Sequence, residues 1–570
     1  MERQAQSSEW VHDKTEARSK NGMVVARHPL SAEAGRKILE KGGNAVDAAI
    51  GASLVGSVVQ PMANTIGGGG LMIISHPIKG KTAINYLYEA PQRAHAAMFP
   101  MEDDAAPGLF GWTGIKDQLN EIGGLAVGTP GSIAGLHAVS SEFGRLPWSA
   151  VVGPAIEAAR SGFSMDWYGS LMLSVHADQM QKFPATARQF LRDGVYTYRP
   201  SVIGKADVHV QIALADTLTK VAAGGADIFY RGEIAEGISR SVKASGGLLE
   251  TSDLENYTVR RYQPSTVRYR NFAVDYVPYA SPTLALFLNL MNQFDLSGHG
   301  SDSAYRYHLV AEALKRSWQY RDAFNGDTDV VDGPWKGLSS PEFAAEVAKT
   351  ISVDRVSASR TDVDPFEFQP GTSDGDATSG KPARHEGTVH ISAADSDGCM
   401  VGLTETVVGN FGSLVTSEHG ILLNNGMIGF SPIAGQMNSV APGKRPSSNM
   451  SPVLVFDEDG KPLATLGASG GRKIIPAVAQ ILTLFMDHDL PMQAAVSHPR
   501  LDLEGETIIA DSRIPKAVLR KLEDMGHALE VRTEGLSTFE FGNPCGIMFD
   551  DAGLMISGVN PFQATAASGF

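Results

Sequence analysis

Gly387-Thr388-Val389-His390-Ile391-Ser392-Ala393-Ala394-Asp395 is an alternating stretch that follows a run unable to pack. Upstream lie Ser357-Ala358-Ser359-Arg360-Thr361 and a Gly/Ser/Asp-rich segment at 371–380. Such composition buries too little apolar surface to offset the entropy of ordering. Downstream come a Ser396-Asp397-Gly398 turn and a second apolar run, 400–406, so the whole reads as a β-hairpin. A threonine therefore stands where a low-order linker, about 353–387, meets a strand. Threonine is common in strands, and a purely structural role is one reading. The other is chemical. A cut between Gly387 and Thr388 would leave Thr388 with a hydroxyl nucleophile and a free α-amine to serve as its base.

The chain has 570 residues, 43% hydrophobic and 19% charged, which is ordinary globular composition with chain enough for a large core. A net charge of −15 argues against nucleic acid or an anionic membrane as partner. Two cysteines, Cys399 and Cys545, make neither a disulfide framework nor a zinc pattern. The histidines show no HExxH or paired metal spacing, so no metal and no cofactor are expected. Residues 1–21 are polar, without the apolar core of a signal peptide, and no apolar run is long enough to span a membrane. The expected compartment is the cytoplasm, or the periplasm or exterior if the N-terminus is truncated.

Along the chain, 22–26 reads as a strand. Ser31 is a candidate cap for a first helix, and 45–59 forms a second, apolar one. Ile66-Gly67-Gly68-Gly69-Gly70 enters a strand, which implies close backbone approach to something. Asp302 is a candidate cap for a helix through residue 322 with one buried stripe. Strands before and after the linker, with helices between, predict layered α+β packing.

Gly467-Ala468-Ser469-Gly470-Gly471 joins a strand to a helix. Its backbone N–H groups suit an anion or the oxyanion of acyl transfer, and a plain tight turn is the alternative. No Gly-Lys-Ser/Thr follows either glycine run, which argues against a phosphate loop. Lys444-Arg445-Pro446-Ser447-Ser448-Asn449 gathers hydroxyls, an amide and cations able to receive a carboxylate or amide, and a polar loop is the alternative. His390 shares a strand face with Thr388 and reads as hydrogen-bonded support.

These motifs occur with Asn44-Ala45-Val46-Asp47-Ala48-Ala49, Gly420-Ile421-Leu422-Leu423-Asn424-Asn425 and Pro442-Gly443-Lys444-Arg445-Pro446 in one order. In them the chain resembles the γ-glutamyltransferase family of N-terminal-nucleophile (Ntn) hydrolases, over residues 22–570. The resemblance implies a four-layer αββα sandwich and self-cleavage between Gly387 and Thr388. The products would be a large subunit, 22–387 behind the 1–21 tail, and a small subunit, 388–570. They would be intertwined as an αβ heterodimer, with further dimerisation left open. It implies that Thr388 is the nucleophile, that Thr406 hydrogen-bonds it and aids maturation, and that Gly470 and Gly471 form the oxyanion hole.

The family reads a γ-glutamyl head group through an arginine, a serine pair, an asparagine, a glutamine and an aspartate. The matching positions hold Leu87, Ser448 with Asn449, Val408, Gly426 and Gly429. Each lost charge-assisted hydrogen bond costs about 1.5–3 kcal/mol. The sequence therefore points to a self-processing threonine amidohydrolase acting on a small-molecule N-acyl amide, similar to the acylase branch. Two alternatives are a true γ-glutamyl hydrolase or transferase acting on glutathione-like compounds, and a catalytically dead binding or scaffold protein. Intact Thr388, Thr406, Gly470 and Gly471 argue against the last.

Overall fold

The computed structural model describes residues 12–102, 114–201, 204–279, 282–357, 362–369, 387–536, 538 and 540–570. Two seven-stranded sheets face each other. The first runs, edge to edge, Ala566–Gly569, Gly22–Ala26, Gly387–Asp395, Met400–Val408, Gly69–His76, Gly80–Tyr86 and Arg260–Tyr262. The second runs Arg18–Ser19, Met555–Val559, Asn543–Phe549, Pro462–Ser469, Val453–Phe456, Phe272–Tyr276 and Ser265–Tyr269. Helices including Pro29–Glu40 and Ala45–Val59 cover the first sheet, and Pro282–Met291 and Ile474–His488 cover the second. This is the expected αββα order. Both sheets mix strands from either side of residue 387, so neither side of that bond owns a core.

The strand Gly387–Asp395 is buried along its whole length. Its period of two sorts the side chains. Val389, Ile391 and Ala393 join the core beneath Ala45–Val59. His390 and Ser392 turn toward the second sheet, where the Ser392 hydroxyl donates to the Thr465 carbonyl at 3.2 Å. The helix Ala45–Val59 is buried on every side, which explains its lack of a polar face, and an Asn44–Asp47 capping box starts it. The first helix begins before the expected Ser31. It runs Pro29–Glu40, with the His28 ring capping the Leu30 N–H at 3.1 Å. Pro29 suits the first turn because it lacks the N–H that would otherwise go unbonded. The later helix likewise starts at Ala304, capped by Ser303 and not by Asp302.

Two stretches expected to be loose are packed where they are described. Arg18 and Ser19 pair with Ile556 and Met555 to close an edge of the second sheet, and the Lys14 ammonium donates to the Thr565 carbonyl at 2.7 Å. In the linker, Pro365–Phe368 form a 3-10 turn against Trp335–Leu338, and the Gln369 side chain accepts from the Lys336 N–H at 2.8 Å. Residues 1–11, 358–361 and 370–386 of these two stretches lie outside the described residues. The glycine run approaches the chain itself. A methyl group at Gly67 would sit 2.4 Å from the Leu422 carbonyl oxygen, and one at Gly68 2.5 Å from that of Thr406.

On the helix face of the hairpin, Glu405 is fully buried and accepts from the Ser53 hydroxyl and, at 3.2 Å, from the Asn64 amide. Burial raises its carboxyl to about 7, against the opposing pull of these donors. The folded state therefore holds a proton that the unfolded chain releases near pH 4.5. Stability falls as pH rises from there to about 7 and is level above. Glu405→Gln removes the titration. Thermal melts should show the variant more stable than wild type at pH 8, by on the order of 1–3 kcal/mol, with the gain gone at pH 4.5.

Candidate active site

Thr388 lies opposite Thr406 in the antiparallel pair, and the register shifts between Gly387 and Thr388. Both side chains are buried, 4% and 5% exposed. The Thr388 hydroxyl donates to Thr406 Oγ1 at 3.2 Å. Thr406 spends its one proton on the Gly387 carbonyl and accepts from the Val408 N–H at 2.7 Å. One hydroxyl thus touches both the Thr388 side chain and the carbonyl of the bond that precedes it. Gly387 has no room for a side chain, since a methyl there would meet the Val408 and Gly409 carbonyl oxygens at 2.7 Å. Val408, opposite Gly387, sits at φ 83°, a left-handed backbone that is an outlier for a β-branched residue. Just past the neighbouring strand Gly22–Ala26, the buried Arg27 donates to the Thr388 carbonyl at 2.6 Å and to the Tyr168 hydroxyl at 3.3 Å.

Thr388 opens on a cleft of about 370 Å³. The structure brings Thr406, Val408, Gly429, Ser448, Asn449 and Gly471 to its wall. Gly470 adjoins Gly471 at φ 124°, a conformation that favours glycine, in the turn before the helix Ile474–His488. Two expected residues are not on the wall. Leu87 is fully buried among the core residues of the second layer. Gly426 lies under the Tyr88 ring, which a methyl group there would strike at 2.0 Å. Tyr88 itself lines the cleft, with Ser447, Met450 and Ile474. Tyr88 belongs to the same core as Leu87 and follows the end of the strand Gly80–Tyr86, so no local alternation marks it as a wall residue. For Arg27 the signal was a lone cation ending an apolar strand.

Among the described residues no charged side chain lines this cleft. The cations of the Lys444-Arg445 motif are used internally. Arg445 pairs with Glu89 at 2.6 Å and donates to the Asn85 carbonyl at 2.7 Å, while Lys444 donates to the Ser439 carbonyl at 2.9 Å. His390 is held by Thr404 Oγ1 at 2.8 Å and Ser392 Oγ at 3.0 Å, and burial lowers it to about 3, so it stays neutral. Asn449 Oδ1 is buried with no hydrogen-bond partner, an acceptor on the wall open to an N–H donor. Among the described residues no group of three or more His, Cys, Asp or Glu could hold a metal ion, and no helix is long and apolar enough to cross a membrane.

The family described as Gamma-glutamyltranspeptidase matches residues 31–570. The glutathione hydrolase proenzyme of Bacillus subtilis (strain 168) is 32% identical over 549 residues, covering 95% of this chain and 90% of its own. The acylase ACY 1 proenzyme of Pseudomonas sp. (strain SE83) is 31% identical over 524 residues, covering 91% and 89%. The crystal structure of cephalosporin acylase from Bacillus halodurans superposes with a TM-score of 0.83 at 24% identity, covering 100% of this chain and 99% of that one, and shares the fold. The chain belongs to the γ-glutamyltranspeptidase family and is an enzyme of the Ntn-hydrolase type.

Proposed function

We propose that this protein is a self-processing threonine amidohydrolase that cleaves an N-acyl amide through an acyl-enzyme on Thr388. The observation that carries this reading is the Thr388–Thr406–Gly387 hydrogen-bond chain at the mouth of a cleft with no charged wall. In maturation, the Thr388 hydroxyl attacks the Gly387 carbonyl carbon while Thr406 hydrogen-bonds the carbonyl oxygen. The C–N bond breaks, leaving an ester on Thr388 Oγ1 and a free α-amine. Water then releases chain 1–387 with a carboxylate. In turnover, that amine, titrating near 8 in an unperturbed terminus, takes the hydroxyl proton as Thr388 attacks the substrate carbonyl. The Gly470 and Gly471 amides receive the oxyanion. The leaving amine carries the proton away, and water deacylates the enzyme. Arg27 holds the Thr388 carbonyl, which keeps the new terminus in place.

Substrate preference rests on the wall. A free α-amino acid head would bring two charges into a cleft that offers neither partner, which favours a neutral acyl amide whose N–H meets Asn449 Oδ1. The glutathione hydrolase names among the relatives favour a second reading, γ-glutamyl hydrolysis or transfer through other contacts. The intact hydrogen-bond chain at Thr388 argues against a catalytically dead scaffold.

On a denaturing gel the wild type should resolve into two chains, the smaller beginning at Thr388, whereas Thr388→Ala stays whole. Thr406→Val should slow cleavage by about tenfold or more, with the melting temperature little changed. A wild type that never cleaves contradicts the maturation scheme. With mature enzyme, acetyl-, phenylacetyl- and glutaryl-p-nitroanilide should include a substrate with kcat/KM about 100-fold above that of γ-glutamyl-p-nitroanilide, the equivalent of two lost charge-assisted bonds. Turnover of the γ-glutamyl compound alone would establish the second reading. The rising limb of kcat/KM against pH should persist unchanged in His390→Asn, because His390 at about 3 does not titrate in that range.

A further inference from the structure

A second cleft shares Ser447 and Ser448 with the one at Thr388. Its body is apolar and aromatic, with Leu286, Tyr279, Phe324 and Trp335 on the wall. Polar groups from Thr283, Ser317, Arg321, Asn325, Ser447 and Ser448 share that wall and can orient a ligand.

Arg321 is the most informative of them. It sits near the end of the helix Ala304–Ala323, 9% exposed, on the cleft wall. Among the described residues no carboxylate lies within ion-pairing distance of its guanidinium. The group donates to the Ser448 carbonyl at 2.8 Å and weakly to Thr283 Oγ1 at 3.4 Å, two of its five N–H donors. Its neighbour Arg472 adds positive charge and is itself paired with Asp322 at 3.1 Å. Burial and Arg472 lower Arg321 to about 10, so it remains a cation at neutral pH. A buried guanidinium without a counter-ion is costly, and a bound anion would offset that cost.

Two further wall residues carry unpartnered atoms. Ser317 Oγ, in a side chain 1% exposed, and Asn325 Oδ1 are both buried without a hydrogen-bond partner. A cation, a hydroxyl and an amide oxygen thus converge in one aromatic-walled space. The complementary ligand carries a carboxylate, a hydroxyl or N–H donor, and an apolar or aromatic body.

We propose that this second cleft is a binding site for a carboxylate on such a body, anchored by Arg321, and coupled to the catalytic cleft through the Ser447–Ser448 wall. The Arg321–Ser448 hydrogen bond is the physical link. A carboxylate that engages the guanidinium competes with the Ser448 carbonyl for it, and Ser448 also lines the Thr388 cleft. The site stands whether or not Thr388 attacks acyl amides.

The test is calorimetric titration of the uncleaved Thr388→Ala chain with 4-hydroxyphenylacetate and with its neutral analogue 4-hydroxyphenylacetamide. The acid should bind about tenfold or more tightly than the amide, as one charge-assisted contact requires. Arg321→Met should bring the two to parity, and Arg321→Lys should keep part of the preference. If Arg321→Met does not fold, Asn325→Asp serves instead, because it puts a fixed carboxylate into the same wall and should abolish the preference for the acid. Equal binding of acid and amide by the parent, no binding of either at 10 mM, or an acid preference that survives Arg321→Met would overturn the proposal. With mature enzyme, competitive inhibition by the acid assigns the carboxylate to the substrate itself, and non-competitive inhibition to a separate ligand. Loss of activity toward acyl amides would leave the titration on Thr388→Ala untouched, so the two readings fail separately.

Discussion

The Thr406 hydroxyl is the constraint on which the site depends. It has one proton and two lone pairs, and all are used: one donated to the Gly387 carbonyl, the others accepting from Thr388 and from the Val408 N–H. That arrangement exists in one strand register only. A slip of one residue would turn Thr406 to the helix face and bring Glu405 against Thr388. Several costs are tolerated around it. The ladder shifts at Gly387, Val408 takes a left-handed backbone, and Gly68 gives up a side chain so that its strand can lie against the Thr406 carbonyl. Local strain of this kind persists where the surrounding structure over-determines it, and here two sheets and a fully buried helix do so.

The same hairpin separates two chemistries by its two faces. Toward the helices, Glu405 sits with Ser53 and Asn64 and keeps its proton to about pH 7. Toward the second sheet, His390 sits between Thr404 and Ser392 and is neutral. Arg27 brings a fixed positive charge to Thr388, its guanidinium gripping the Thr388 carbonyl. Among the described residues the cleft lining carries no charge, and the cations of the Lys444-Arg445 motif are held within the structure. Arg445 ties Glu89 to the Asn85 strand, and Lys444 ties its own loop. Arg321, which has no carboxylate partner among the described residues, faces the neighbouring space behind Ser448. The described lining of the Thr388 cleft therefore offers shape and neutral hydrogen bonds, and the Arg321 cation lies one wall away.

Much of this was legible in the chain. The hairpin at 387–408, the buried helix at 45–59 and the turn before the last long buried helix follow from local pattern, because side-chain period and turn residues act over a few positions. The helix starts were less legible. Pro29 and Ser303 compete with Ser31 and Asp302 as start signals, and the choice is made by what the preceding residue can cap. The linker and the N-terminal stretch read as loose because their composition is polar. Where described, each is held by a partner far away in sequence, Trp335–Leu338 for one and the 555–565 region for the other.

By itself, then, the sequence marked Thr388 as the candidate nucleophile, Thr406 as its partner, and the residue types that stand at 87, 408, 426, 429 and 449. Each of these is a matter of which residue type occupies one position in a local pattern. Only the tertiary structure decided what fills the space those residues leave. Tyr88 covers Gly426, Leu87 is withdrawn into the core, and Arg321 reaches the wall that Ser448 shares with the catalytic cleft. The physical reason is that a pocket wall is built by close packing between segments hundreds of residues apart. Its shape is set by which side chain wins each volume, and no short stretch of sequence carries that competition.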